Sequence, residues 1–202
     1  GEYGEGDVFL GVMVPEIRKI AIKYKDLALE DAEELLESRI HEERLCALLI
    51  LVHNFQKGDL NIKKEIFNFY LKNTGKINNW DLVDLSADKI VGEWVFDRDK
   101  KILYELAKSD NIWQRRIAII STFYFIKNNR FDDIIRISEI LLKDGHDLIQ
   151  KAVGWMLREM GKRDAKELEK FLDKHYKEMP RTMLRYSIEK LNDNLKKRYM
   201  GR

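Results

Sequence analysis

Apolar residues recur at helical spacing along almost the whole chain, in short segments set apart by polar turns. The turns read QKGD from Gln56, KSDN from Lys108, KNNR from Lys127 and KDGH from Lys143, stretches rich in residues that favour chain reversal. No segment alternates well enough between apolar and polar positions to predict a strand. Pro15 and Pro180 suit the first turn of a helix, where a missing N–H costs nothing. The pattern predicts an all-α fold.

Aligned by phase, five segments match: RLCALLIL from Arg44, WDLVDLSA from Trp80, RIAIISTF from Arg116, KAVGWMLR from Lys151 and RYSIEKLN from Arg185. Their starts are 36, 36, 35 and 34 residues apart. Each opens on a cation or a tryptophan and runs into a mostly apolar helix. A more polar helix usually precedes it, such as DAEELLES before the first. A helix pair recurring at this interval is the mark of an α-solenoid of HEAT-like or armadillo-like repeats. The expectation is a single repeat domain over residues 1–202, with 1–14 a turn-rich lead-in. In such a stack the second helix of each pair lines a concave surface. Trp80 then takes the place that cations hold in the other repeats. One turn on, the same face carries Leu48, Asp84, Ile120, Trp155 and Glu189. This predicts a basic groove where Trp80, Asp84, Arg116 and Trp155 converge, with Arg44, Lys151 and Arg185 along it.

Composition narrows the class. Of 202 residues, 45% are hydrophobic and 36% charged, which fits a soluble globular protein and not a disordered one. No apolar run is long enough to span a membrane. Cys46 is the one cysteine and sits in an apolar run, so it is expected in the core, in a reducing cytoplasm. The chain starts at Gly1 and not at a methionine, so a truncated or processed N-terminus is expected. The net charge of +2 hides an asymmetry: residues 1–100 hold 14 Lys/Arg against 20 Asp/Glu, and residues 101–202 hold 23 against 15. The basic half suits a polyanionic partner.

Each candidate has a plainer role to weigh. Trp80 could be a packing anchor, and Asp84 could pair with Arg116. Trp155 interrupts an apolar helix, as core tryptophans do. Asp81 and Asp88 share a face with Asp84 and are expected to cap or form ion pairs. Arg115 and Arg116 point about 100° apart on a helix, and phase selects Arg116 for the groove. His41, His53, His146 and His175 have no metal-ligand spacing and suit surface or cap positions. No phosphate-binding or nucleophile-elbow motif is present.

The segments NNWDLVDLSADKIVG, WQRRIAIIST and KAVGWMLREMGKRD, in this order and at these separations, resemble the AlkD-like DNA alkylation-repair family. The similarity runs from VFLGVMVPEIRKIA onward. It implies a HEAT-like fold and a DNA glycosylase excising N3- and N7-alkylated purines from double-stranded DNA. It further implies no cofactor, metal or membrane, a monomer, and a place with the nucleoid in the cytoplasm. By the same resemblance Trp80, Asp84, Arg116 and Trp155 are active-site residues and Arg158 is a backbone contact; Arg115 is a further candidate DNA contact. An extra N-terminal helical segment of the family is shortened or missing, and Met13 stands where some members carry a polar residue. Two rivals remain: a non-catalytic DNA-binding repeat protein and a protein–protein scaffold.

Overall fold

The computed structural model describes residues 6–201, and among them it is helical, with no strand. One isolated parallel bridge joins Val8 to Ile40. The chain forms two compact units, Gly1–Asp97 and Arg98–Arg202.

The first unit comprises α1 (Val14–Lys23), α2 (Leu29–Glu37), α3 (His41–Lys57), α4 (Leu60–Lys72), α5 (Trp80–Ala87), a π-helical turn (Asp88–Gly92) and α6 (Glu93–Val95). Pro15 lies in the first turn of α1. Asp59 caps α4 by accepting from the N–H groups of Asn61 and Ile62, at 2.9 and 3.0 Å. Helices α1, α2, α4 and α5 and the π turn all pack on α3. That enclosure explains why α3 is apolar around most of its circumference, with Leu45, Leu48, Ile50, Leu51 and Phe55 buried. Cutting Leu48 to alanine would cost about 2–5 kcal/mol. In the same core the Tyr70 and Ser86 hydroxyls meet at 2.9 Å.

The second unit comprises α7 (Lys101–Ala107), α8 (Ile112–Lys127), α9 (Asp132–Ile140), α10 (Asp147–Arg163), α11 (Ala165–His175), α12 (Arg181–Ser187) and α13 (Asp193–Met200). Asn111, His146, Asp164 and Asn192 cap α8, α10, α11 and α13 through side-chain acceptors. Helix α10 is central, packed on α8, α11 and α12. Gly154 permits the close approach of α12: a Cβ there would lie 2.5 Å from the Met183 carbonyl oxygen.

Four of the five segments matched by phase fall in α3, α5, α8 and α10, and the fifth starts in α12 and runs past its end at Ser187. The fold class is therefore all-α, built of repeated helix pairs, as the periodicity predicts. Among the described residues no helix is long and apolar enough to cross a membrane.

Candidate functional site

Helix α5 starts at a tryptophan because Asn79 turns the chain there and its Oδ1 accepts the Trp80 N–H at 2.7 Å. Trp80 is 46% exposed, large for a residue of its apolar area. Asp84, one turn on along the same face, is half-buried. Leu82, Val83, Ser86 and Ala87 cover the other side of α5 and are buried. Burial pushes the Tyr70 phenol above its ordinary value, and the negative charges of Asp88 and Asp84 add to that. The Asp84 charge thus acts on the core.

The neighbouring carboxylates form ion pairs, one of the roles expected of them. Asp88 is 1% exposed and pairs with the Lys89 ammonium at 2.7 Å. Asp81 pairs with His41, whose Nε2 lies 2.7 Å from Asp81 Oδ2. His41 is a correction: it is buried at the start of α3, and not at the surface. Its Nδ1 faces Asp7 Oδ2 at 3.2 Å. Asp7 also accepts from Arg44 Nη2 at 2.6 Å and from Asn79 Nδ2 at 3.0 Å. Burial draws the imidazolium down, but the hydrogen bonds and charges of Asp81 and Asp7 outweigh it, and His41 is raised. Burial also opposes the Asp7 charge, but Asn79, Arg44 and His41 outweigh it, and Asp7 is lowered.

Arg44 is a second correction. Expected along a groove wall, it is 5% exposed, because its guanidinium is spent on Asp7 and on the Ser38 carbonyl at 2.8 Å. A cation of α3 is needed to neutralise a carboxylate brought in by the lead-in. From Asp7 on, the lead-in is no loose loop. Glu42 accepts from the N–H groups of Leu10, Gly11 and Val12 at 2.9, 2.8 and 3.3 Å. The Val8 N–H donates to the Arg39 carbonyl, and the His41 N–H donates to that of Val8. Gly11 has φ +80°, a backbone region that only glycine enters without strain. No periodic signal marked residues 7–12. The usable one was composition: an acid ahead of FLG, and His41, Glu42 and Arg44 crowded at a helix start.

In the second unit Trp155 is half-buried on α10, its ring 6.0 Å from that of Phe123 and its indole N–H donating to Glu159 Oε1 at 3.2 Å. The Lys127 ammonium sits 4.2 Å from the Phe123 ring centre. Arg116 is a third correction: it is 4% exposed, and its Nη1 donates to the Leu148 carbonyl at 2.6 Å. It braces the first turn of α10 instead of meeting solvent. Arg115, which phase set aside, keeps some exposure, with Nε 2.7 Å from Asp144 Oδ2 and Nη1 on the Ser109 and Asp110 carbonyls. Arg158 lies between Glu189 and Glu159. Lys151 pairs with Asp147 at 2.8 Å, and Arg185 is exposed.

A cavity of about 310 Å³ in the first unit, lined by Leu10, Ile17, Tyr24, Leu35 and Ile50, is apolar and does not include Trp80 or Asp84. Among the described residues no three His, Cys, Asp or Glu side chains cluster so as to hold a metal.

Three solved structures share the fold. A protein of Enterococcus faecalis described as a predicted DNA alkylation repair enzyme is 19% identical with a TM-score of 0.74, over 95% of this chain and 92% of that one. AlkD2 from Streptococcus mutans is 23% identical with a TM-score of 0.66, over 91% and 92%. The smu.31 protein of Streptococcus mutans UA159 is 22% identical with a TM-score of 0.64, over 89% and 93%. No curated protein matches the chain. Residues 2–191 match the family described as DNA alkylation repair enzyme. With nearly its whole length matched, the chain belongs to the DNA alkylation repair enzyme family.

Proposed function

We propose that the protein is a monofunctional DNA glycosylase, hydrolysing the N-glycosidic bond of purines alkylated at N3 or N7 in double-stranded DNA. Its family supports the reading. The observation that carries it is the half-exposed Trp80 indole with the Asp84 carboxylate one turn on along the same face of α5.

An alkylated purine of this kind is cationic, so its glycosidic bond is already weakened. As that bond breaks, positive charge moves to the deoxyribose, as in sugar hydrolysis generally. Asp84 stabilises the charge and orients the attacking water. The Trp80 face attracts the deoxyribose as it takes up that positive charge, worth about 0.5–2 kcal/mol. Trp155 offers a further aromatic face in the second unit. Lys151 and Arg185 are proposed phosphate contacts. Arg115 and Arg158 join them if phosphate replaces the carboxylates that hold them. No lysine nucleophile is needed, so the product is an intact strand with an abasic site, and base excision repair follows in the cytoplasm.

A non-catalytic DNA-binding role is the second reading. The observation that favours it is Met13, 71% exposed at the start of α1, where some family members carry a polar residue. The deciding experiment incubates the monomeric protein with N-methylated duplex and separates the released bases. Free 7-methylguanine or 3-methyladenine without strand scission supports the glycosylase; binding without release selects the alternative.

A further inference from the structure

Trp80 stands between two residues that are both tied to the same buried cluster. Before it, Asn79 Nδ2 donates to Asp7 Oδ2 at 3.0 Å; after it, Asp81 Oδ2 lies 2.7 Å from His41 Nε2. The first turn of α5 is thus pinned on either side of the indole, to the lead-in and to the start of α3. Both ring nitrogens of His41 face carboxylates, at 2.7 and 3.2 Å. A carboxylate only accepts, so each nitrogen must carry a proton to bond it, and the ring must be an imidazolium. The charges then balance: Asp7 and Asp81 against His41 and Arg44.

The cluster is poised on that proton. Among the described residues His41 is the one donor to the Asp81 side chain, whose Oδ1 is buried and takes no hydrogen bond. Asp7, by contrast, keeps Arg44 and Asn79. Loss of the imidazolium proton would set one ring nitrogen's lone pair against a carboxylate, and where that nitrogen is Nε2 it would strand the part-buried Asp81 charge. The charged groups facing His41 are Asp7 from the lead-in and Asp81 from α5. On its own helix Arg44 reaches Asp7 and the Ser38 carbonyl, and Glu42 is occupied by the lead-in N–H groups. No charge from α1, α2, α4 or the π turn is hydrogen-bonded to it. The Phe9 ring, 4.8 Å away, covers one side of the imidazole.

We propose that His41, as an imidazolium between Asp7 and Asp81, is a positioning residue for base release, setting the first turn of α5 and hence the Trp80 indole. It touches no substrate. The assignment rests on the glycosylase reading, since it is the reaction at Trp80 and Asp84 that His41 would support. Because the indole acts on charge that grows as the bond breaks, its misplacement lowers the chemical step more than binding.

The test compares wild type, His41→Gln and Asp81→Asn on methylated duplex in single-turnover base release from pH 6 to 9. For a folded His41→Gln protein the plateau rate falls about tenfold, with DNA affinity changed less than about twofold. The wild-type rate declines on the alkaline side as His41 loses its proton. Asp81→Asn removes that decline, because its amide can donate to a neutral Nε2, and keeps the neutral-pH rate within about threefold. A plateau rate for His41→Gln equal to wild type overturns the proposal, and so does an alkaline decline that persists in Asp81→Asn. A second arm needs no activity: nitrogen NMR of the His41 ring and of the Trp80 indole N–H, assigned with Trp80→Phe, is followed against pH. The indole signal should track the His41 titration; an indole signal that stays still while His41 titrates also overturns it. Wild type that releases no base at any pH defeats the glycosylase reading itself, and the NMR arm still decides whether His41 governs Trp80.

Discussion

Asn79 donates to Asp7 over 3.0 Å, though 72 residues of chain separate them. This bond joins the start of the described chain to the helix that carries Trp80. Asp7→Ala would leave Arg44 nearly buried with no carboxylate and Asn79 without its acceptor. Removing one partner of a buried pair costs about 3–5 kcal/mol, reduced here to roughly 2–4 because Asp7 keeps some exposure. Chemical denaturation should show this loss.

The same cluster fixes how stability varies with pH. His41 is raised by Asp81 and Asp7 against the cost of burial. Its contribution is therefore fully present below the ordinary imidazole value of about 6.5, and is lost as pH rises through its higher folded value. Asp7 and Glu42 are lowered, burial being outweighed by their hydrogen-bond donors. Their contribution is present above ordinary carboxylate values and is lost as pH falls through the lowered ones. Thermal melts should be highest between roughly pH 5 and 6.5 and fall on both sides. In His41→Gln the alkaline fall should flatten while the acid fall remains.

Much of this was legible in the sequence, and the reason is periodicity. Four of the five phase-matched segments became α3, α5, α8 and α10, because each must bury an apolar stripe against its neighbours, while the fifth only begins in α12. Asp81 and Asp88, expected to cap or form ion pairs, are both ion-paired. Phase also placed Arg44 and Arg116 outward, and there it failed. A helix start can hold a buried cation when a distant segment supplies the acceptor, Asp7 for Arg44 and the Leu148 carbonyl for Arg116. Such pairings cross 37 and 32 residues and leave no periodic trace. His41 was misread for that reason too.

The lead-in offers a separate check. Glu42 holds three of its N–H groups, and Gly11 holds a positive φ. Glu42→Ala should cost about 1–3 kcal/mol. Gly11→Ala should cost about 1 kcal/mol through strain. Limited proteolysis between Asp7 and Met13 should be faster in both.

Arg116 and Arg185 should separate bracing from phosphate contact. Arg116→Ala strips the Leu148 carbonyl of a charged donor and should destabilise the protein by about 2–3 kcal/mol. Arg185→Ala should leave the melting temperature within error and reduce the slope of log affinity for DNA against log salt by about one.

The glycosylase account stands most directly on Asp84. Single-turnover release of 7-methylguanine from methylated duplex should proceed with wild type and fall about hundredfold or more in Asp84→Asn, with the fold and DNA affinity kept. Release by Asp84→Asn at the wild-type rate would contradict it.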